Sequence, residues 1–464
     1  MFSNMSSKDP AFRFVDLFAG IGGFAAALRG FGGEPVYSVE IDPAAARVYE
    51  LNWGHSPLGD VTQDANDKVM NVPAHDVLAA GFPCQPFSKS GAQRGMDETR
   101  GTLFWNILKI IDAHHPSVVL LENVRNLAGP RHRHEWQVII EQLRAAGYHV
   151  SEEPAVFSPH LLPLEVGGRP HVRERVFITA TYDPDGVGDL DPKPAVGNRS
   201  LREDEEWSLE DDLPLDPDHH AAGCDLNPDE VRWIDAWDDW VRLMWRLRHE
   251  EAAETWEPLR RLPGFPVWSD AWVLTDDLDV PDDTPAWKAN FLKKNAELYT
   301  AHQAEFDAWY ERHGVASFPA SRRKFEWQAQ ATPRLWDCVM QMRPSGIRAK
   351  RPTHLPALVA ITQTSIVGSR GRRLSPREAA RLQGLPDSFT FGDQPAAATY
   401  KQLGNGVNVG AVWHVLREHV KRDESILKRT PAGQRIVQAV LEDAPLSPDE
   451  VLDDVVRASQ VGQR

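Results

Sequence analysis

Phe14-Val15-Asp16-Leu17-Phe18-Ala19-Gly20-Ile21-Gly22-Gly23-Phe24 reads as the end of a short apolar strand, a glycine turn and the start of an Ala-rich helix running to about Gly30. Glycines in such a turn let the backbone approach a nucleotide-like ligand where a side chain would collide with it. Working outward, Pro35–Ile41 reads as a second strand, ended by Asp42-Pro43, with Pro43 suited to the first turn of a helix. Val77–Ala80, Val118–Leu121 and Arg175–Thr181 are further short apolar runs. Strands alternating with helices predict an α/β fold, a parallel sheet covered on both faces. Ligands of such sheets bind where the carboxyl ends of the strands and their loops gather.

Glu40 ends the second strand, where a carboxylate can accept hydrogen bonds from two ribose hydroxyls, and Asp60 could take an adenine amino group. A glycine turn with a following acid is shared by dehydrogenases, flavoproteins and many transferases. Gly81-Phe82-Pro83-Cys84-Gln85-Pro86-Phe87-Ser88 separates them. It puts a cysteine in a stiff, Pro-flanked loop just after a strand. A lone cysteine is ordinarily a buried packing residue, but two prolines beside Gln and Ser do not make a packed face. With a free pKa of about 8.5, a thiol is already the best side-chain nucleophile at neutral pH. Leu120-Leu121-Glu122-Asn123-Val124 supplies a carboxylate at another strand end. In a parallel sheet Cys84 and Glu122 emerge at the same edge, a pairing suited to conjugate addition to an electron-poor ring, with Glu122 holding a proton through a pKa raised by burial.

Five motifs in order, Asp16–Phe24, Gly81–Ser88, Glu122-Asn123-Val124, Arg173-Glu174-Arg175 and Gln402-Leu403-Gly404-Asn405, resemble the signature of the DNA cytosine-5 methyltransferase family. Thr99–Phe104 and Leu374–Gly384 are similar to two more. The resemblance covers residues 12–182 and 372–420, about half the chain. It implies a doubly wound, Rossmann-like catalytic domain that uses S-adenosylmethionine (SAM) and acts on cytosine flipped out of double-stranded DNA. It further implies that Cys84 attacks C6, that Glu122 contacts N3 and the exocyclic amine, and that Arg173 and Arg175 hold the cytosine edge and nearby phosphates. Asp16, Phe18, Gly20, Gly22, Gly23, Glu40, Asp60 and Asn405 would form the SAM site, with Ile41 packing on adenine. Two positions depart from the family pattern: His171 stands where Gln is usual, and Gly406 where Ser is common.

From about Asp183 the texture changes, with Asp, Glu, Pro and Trp rising. Asn227-Pro228-Asp229-Glu230 predicts a helix N-terminus, followed by Trp233, Trp237, Trp240 and Met244 on one face. A second long helix is expected from Thr284-Pro285 to Gly314. The organisation expected is therefore 12–182 catalytic, 183–371 an inserted target-recognition domain with its own core, 372–420 the closing part of the catalytic domain, and 421–464 an acidic tail.

The chain of 464 residues has a formal net charge of -16, which by itself argues against nucleic acid. The charge is polarised, however. Arg343, Arg348, Lys350, Arg351, Arg370, Arg372, Arg373, Arg377 and Arg381 face a single acid, Glu378, over one stretch. With Ser321-Arg322-Arg323-Lys324, the Arg343–Arg351 run is the candidate for touching DNA. Three cysteines without metal-like spacing predict no disulfide framework, no metal site and a cytoplasmic home, and the compact single-module layout without added chromatin-type domains points to a bacterial enzyme. No membrane segment is expected. A monomer is the family default, with a cognate restriction endonuclease or defence-system proteins as expected partners. The rival readings are an RNA cytosine-5 methyltransferase, a catalytically silent DNA-binding regulator of the same fold, and a dinucleotide-dependent oxidoreductase. A segment of nearly two hundred residues after 182 disfavours the first, intact Cys84 and Glu122 the second, and the Pro-Cys-Gln loop the third.

Overall fold

The computed structural model describes residues 10–83, 102–189, 191–202, 206–216, 221–255, 262–358 and 364–461. The chain forms two compact units, one of residues 1–206, 356–361 and 376–464, the other of 207–355 and 362–375.

In the first unit, β1 (Phe12–Leu17), β2 (Gly33–Val39), β3 (Val77–Gly81) and β4 (Val118–Val124) are mutually parallel, as the alternating sequence predicts. Between them come α1 (Gly23–Gly30), α2 (Pro43–Trp53), α3 (Val61–Asp64) and α4 (Leu103–His114). Asp42 caps α2 through its Oδ1, which accepts from the amides of Ala44 and Ala45, with Pro43 at the first helical position. After α5 (Arg133–Ala145) the pattern changes. β5 (Tyr148–Val150), β6 (Ala155–Phe157) and β4 all pair antiparallel with β7 (Arg175–Tyr182). The sheet order is β2-β1-β3-β4-β7-β5, with β6 also on β7, so the sheet is mixed rather than wholly parallel. Between β6 and β7 stand the short 3-10 turns Pro159–Leu161 and Leu164–Val166 in place of an α-helical crossover, and strands joined without such a crossover pair antiparallel.

Alternate residues of each strand face opposite sides. Val15, Leu17, Leu78, Ala80, Val119, Leu121, Val176 and Ile178 pack with residues of α4 and α5 in one core. On the other side Phe14, Ala79, Leu120 and Phe177 are equally buried.

The second unit is built on α6 (Pro228–Thr255), opened by a reciprocal cap: Asn227 Oδ1 accepts from the Glu230 amide, and Glu230 Oε2 from the Asn227 amide. The helix expected over 284–314 is two, α7 (Ala286–Ala301) and α8 (Gln303–His313), broken at His302. Their apolar faces then need not lie along one axis. A sheet of β8 (Val267–Trp268), β9 (Lys324–Gln328), β10 (Val339–Arg343), β11 (Gly346–Lys350), β12 (Ile366–Val367) and β13 (Arg372–Arg373) has the order β13-β12-β10-β11-β9-β8. Trp237, Trp240, Met244, Phe306, Trp309 and Phe325 are fully buried between helices and sheet, with Trp237 stacked on Phe325 at 4.8 Å. Trp237, Trp240 and Trp309 thus form a core, with Trp233 packed against it, while Trp287 is 61% exposed and stands outside it.

The chain returns to the first unit with α9 (Pro376–Leu382), α10 (Ala396–Asn405) and α11 (Val409–Arg422). On the side of the sheet away from α4 and α5, α11 packs on α1 and β7, where the Thr181 hydroxyl meets His419 Nε2 at 3.0 Å. Residues 421–461 also fold onto this unit. Their last helix, α12 (Leu452–Val461), packs on α1 and α2, with Gln460 Nε2 donating to Asn52 Oδ1 at 3.1 Å.

Candidate active site

A cavity of about 490 Å³ opens at the carboxyl ends of β1, β2, β3 and β4, and the described residues that line it belong to the first unit. Phe18, Gly20, Gly23, Glu40, Ile41, Asp60, Glu122, Arg175 and Asn405 line it. Asp16, Gly22 and Arg173 do not, and Cys84 lies outside the described residues.

The turn after β1 supplies the floor. Phe18 takes φ +56° and Gly20 φ +55°. A bulky side chain in the left-handed region costs on the order of 1–3 kcal/mol and persists only where its surroundings enforce it. Glu40 is held by two backbone donors, the Gly20 amide to Oε2 and the Asp42 amide to Oε1, each at 2.8 Å. Its carboxylate is therefore oriented before any ligand arrives. Asp60 Oδ1 caps α3 by accepting from the Thr62 amide at 2.9 Å and the Thr62 hydroxyl at 2.7 Å. Ile41 is 71% exposed, an apolar side chain on the rim beside two carboxylates. Apolar surface next to a few fixed acceptors fits an adenosine, whose ring wants the first and whose ribose and amino groups want the second.

Asp16 and Gly22 stand behind this wall. The Asp16 carboxyl is fully buried, and neither oxygen receives a well-formed hydrogen bond. Burial lifts its pKa well above the usual carboxylate range, the Ala25 amide offsetting only part of that. At Gly22, φ is +92°, and a Cβ would sit 2.0 Å from Nε1 of Trp53, whose indole donates to the Ile21 carbonyl at 3.1 Å.

At the other end of the cavity, Glu122 pairs in register with Gly81, the last residue of β3 and three residues before Cys84. Glu122 is 8% exposed, and burial raises its pKa, with Arg175 and then Arg173 opposing the rise. Arg175 Nε lies 3.0 Å from Glu122 Oε1. Asn123 Nδ2 donates to the Phe82 carbonyl at 2.8 Å and so pins the chain just ahead of Pro83-Cys84. Sequence reading passed over this role of Asn123, although its place beside Glu122 was the available signal.

Arg173 is turned elsewhere. Its guanidinium is buried, and its Nη2 donates to the carbonyls of Gly404 at 2.8 Å and Gly406 at 2.5 Å. Gln383 Nε2 grips the same turn at the carbonyls of Leu403 and Gly406. His171, buried and held neutral by desolvation, accepts from the Leu358 amide at 3.4 Å. Among the described residues there is no cluster of His, Cys, Asp and Glu fit to hold a metal. Nor, among them, is any helix long and apolar enough to cross a membrane.

In the second unit the two basic stretches of sequence meet on one sheet. Glu326 of β9 and Gln341 of β10 both lie opposite Arg348 of β11, so all three side chains share a face. Arg348 Nε lies 2.8 Å from Glu326 Oε2, and Arg322 Nη1 donates to the Arg343 carbonyl at 2.9 Å.

Residues 12–421 match the family described as C-5 cytosine-specific DNA methylase. The chain is 51% identical to the type II methyltransferase M.AluI of Cellulosimicrobium cellulans, over 95% of this chain and 98% of that protein. It is 40% identical to the type II methylase M.HgiEI of Herpetosiphon aurantiacus, over 85% and 94%. With the type II methyltransferase M.HhaI of Haemophilus parahaemolyticus it shares 43% identity over 36% of this chain and 48% of that one. Among solved structures, a mutant of Spodoptera frugiperda DNMT2 aligns with 88% of this chain and 99% of its own, at 17% identity and a TM-score of 0.45.

Proposed function

We propose how this site works from one premise: the chain belongs to the C-5 cytosine-specific DNA methylase family and is a DNA cytosine-5 methyltransferase. Phe18, Gly20, Gly23, Glu40, Ile41, Asp60 and Asn405 would hold SAM, the co-substrate the family implies, which supplies the methyl group destined for C5 of cytosine. Cys84, in the role carried over from the family's Pro-Cys-Gln motif, adds as thiolate to C6 of a base flipped from double-stranded DNA. Glu122 holds the proton at N3 as that bond forms, so that charge never accumulates on the ring. Burial suits Glu122 to this task because it favours the protonated carboxyl. Arg175 orients Glu122 and reaches the cytosine edge. C5 takes the methyl group with S-adenosylhomocysteine as the leaving group, the N3 proton returns to Glu122, and a base removes the C5 proton as the C5–C6 double bond re-forms and the C6–sulfur bond breaks to return Cys84.

The observation that carries this reading is the ion pair of buried Glu122 with half-buried Arg175, in the same cavity as Glu40 and Asp60, with Glu122 in register with the strand that leads to Cys84. Target recognition falls to the second unit, with Arg322, Arg343, Arg348 and Lys350 as its DNA-facing cations. The names of M.AluI and M.HhaI as type II methyltransferases support a place in a bacterial restriction-modification system. Such an enzyme acts in the cytoplasm as a monomer, with a cognate endonuclease as partner.

The test is methyl transfer from radiolabelled SAM to mixed-sequence duplex DNA, with RNA as control, by the wild type and Cys84→Ser. Label recovered as C5-methylcytosine in DNA, and absent with the variant, is the expected result. Label in RNA alone, or undiminished label with Cys84→Ser, overturns it.

A further inference from the structure

Arg173 and Arg175 are two residues apart, yet they face different partners. Arg175 lines the cavity and pairs with Glu122. Arg173 is 1% exposed, does not line the cavity, and makes no hydrogen bond to Glu122. Its Nη2 bridges the carbonyls of Gly404 and Gly406, and its Nη1 reaches the Leu358 carbonyl at 3.4 Å. The arginine's own amide donates to Ser158 Oγ at 2.8 Å, fixing where the side chain starts. Between the two bridged carbonyls lies Asn405, which does line the cavity, as do Gly404 and Gly406 themselves. Nη2 alone holds both carbonyls of the turn, its two N–H groups fixed in the guanidinium plane while Nη1 reaches a third carbonyl, and a Lys ammonium with freely rotating donors does not fix those directions. Without it, the Gly404 carbonyl loses its charged donor and the Gly406 carbonyl is left with Gln383 alone, so the turn is no longer held at two points by one group.

We infer that Arg173 is a positioning residue for the SAM pocket: it clamps the Gly404-Asn405-Gly406 turn and presents Asn405 to the co-substrate, rather than holding the cytosine. This rests on the reading of the cavity as the SAM site. It divides the Arg-x-Arg motif into one arm for each ligand, Arg175 toward the base and Arg173 toward SAM. Gln383, which grips Leu403 and Gly406, is the second half of the clamp.

The experiment measures SAM affinity by calorimetry without DNA, and duplex DNA affinity without SAM, for wild type, Arg173→Lys, Arg173→Ala and Arg175→Lys. Unfolding temperatures are taken on the same preparations. Arg173→Ala is expected to weaken SAM at least tenfold while DNA affinity stays within about twofold, and Arg173→Lys to weaken SAM by a smaller factor. Arg175→Lys should keep SAM affinity and lose kcat. If Arg173→Ala does not fold, Arg173→Lys decides alone. Wild-type SAM affinity in Arg173→Lys, or loss confined to DNA affinity or kcat, overturns the inference. Wild-type protein that binds no SAM would instead overturn the reading of the cavity beneath it.

Discussion

Replacing Gly22 and Gly20 by alanine, one at a time, separates the two duties of the glycine turn. At Gly22 the added Cβ meets Trp53 at 2.0 Å from Nε1, 2.7 Å from Cδ1 and 2.9 Å from Cε2. Trp53 is fully buried, so its ring cannot swing into solvent. A non-glycine residue at φ +92° adds about 1–2 kcal/mol of backbone strain. Forcing a methyl into a packed core adds about 1–3 kcal/mol. Loss of the Trp53–Ile21 hydrogen bond adds about 0.5–1.5 kcal/mol. Less the roughly 0.4–1 kcal/mol that the smaller entropy of the unfolded chain returns, these predict a destabilisation of about 2–6 kcal/mol, a large share of the stability of an ordinary domain, about 5–15 kcal/mol. Gly20→Ala has strain alone, because nothing lies within 4 Å of its added Cβ. The smaller entropy of the unfolded chain returns about 0.4–1 kcal/mol, leaving a net loss of about 1 kcal/mol. Gly20 lines the cavity, however, so its methyl group occupies space SAM needs. At about 1.6 °C per kcal/mol for a unit of about 300 residues, Gly22→Ala should melt about 3–10 °C below wild type and Gly20→Ala about 2 °C below. Calorimetric titration with SAM should show the reverse order of damage, with Gly20→Ala the weaker binder. Equal melting temperatures for Gly22→Ala and wild type would refute the close-approach argument. Undiminished SAM affinity in Gly20→Ala would refute the cavity assignment.

Glu122→Gln should lower the methyl-transfer rate about 10²–10⁴-fold with SAM affinity unchanged, as expected when a positioned proton donor is lost. Because burial raises the Glu122 pKa, wild-type kcat/KM should fall on the alkaline side of that pKa, and a pH–rate profile of the Gln variant should lack this limb. Asp16 also has a raised pKa, so the folded state holds its proton more tightly than the unfolded chain does. The resulting stabilisation is full below the unfolded carboxyl pKa of about 3.9 and is lost as pH rises through the folded value. The melting temperature of Asp16→Asn minus that of wild type should therefore grow more positive from pH 4 upward; a flat difference would mean the carboxyl ionises normally. Trp237→Ala removes a fully buried ring stacked on Phe325 and should cost about 3–5 kcal/mol, seen as a lower denaturant midpoint. SAM affinity of the folded variant should be unchanged, since Trp237 is not among the residues that line the cavity.

What the residues determine by themselves is the chemistry and much of the local structure. The turn Gly20-Ile21-Gly22-Gly23, Asp42-Pro43 and the Asn227–Glu230 cap act over a few residues, so their structure follows from near neighbours. The order of the motifs names the family because each motif's chemistry is needed at one strand end. Glu40, Ile41 and Glu122 then fall into one cavity because parallel strands bring their carboxyl ends together, while Asp60 reaches it from the cap of α3 and Asn405 from the end of α10.

Only the tertiary structure decided the rest. Two-residue spacing suggests that Arg173 and Arg175 share a face, as they would in a continuous strand. The chain is not strand at residues 173 and 174, and β7 begins at Arg175, so the alternation does not carry across. The direction of each arginine depends on Glu122 for one and on Gly404 and Gly406, more than two hundred residues away, for the other. The same distance dependence hides the antiparallel half of the sheet, the burial of Asp16 behind the wall, and the seating of α12 on α1 and α2. It also hides the meeting of Arg348 with Glu326 and Gln341 on one face of the second unit. Short-range preferences act through the backbone of a few residues, whereas these arrangements arise from contacts that exist only once the whole chain has folded.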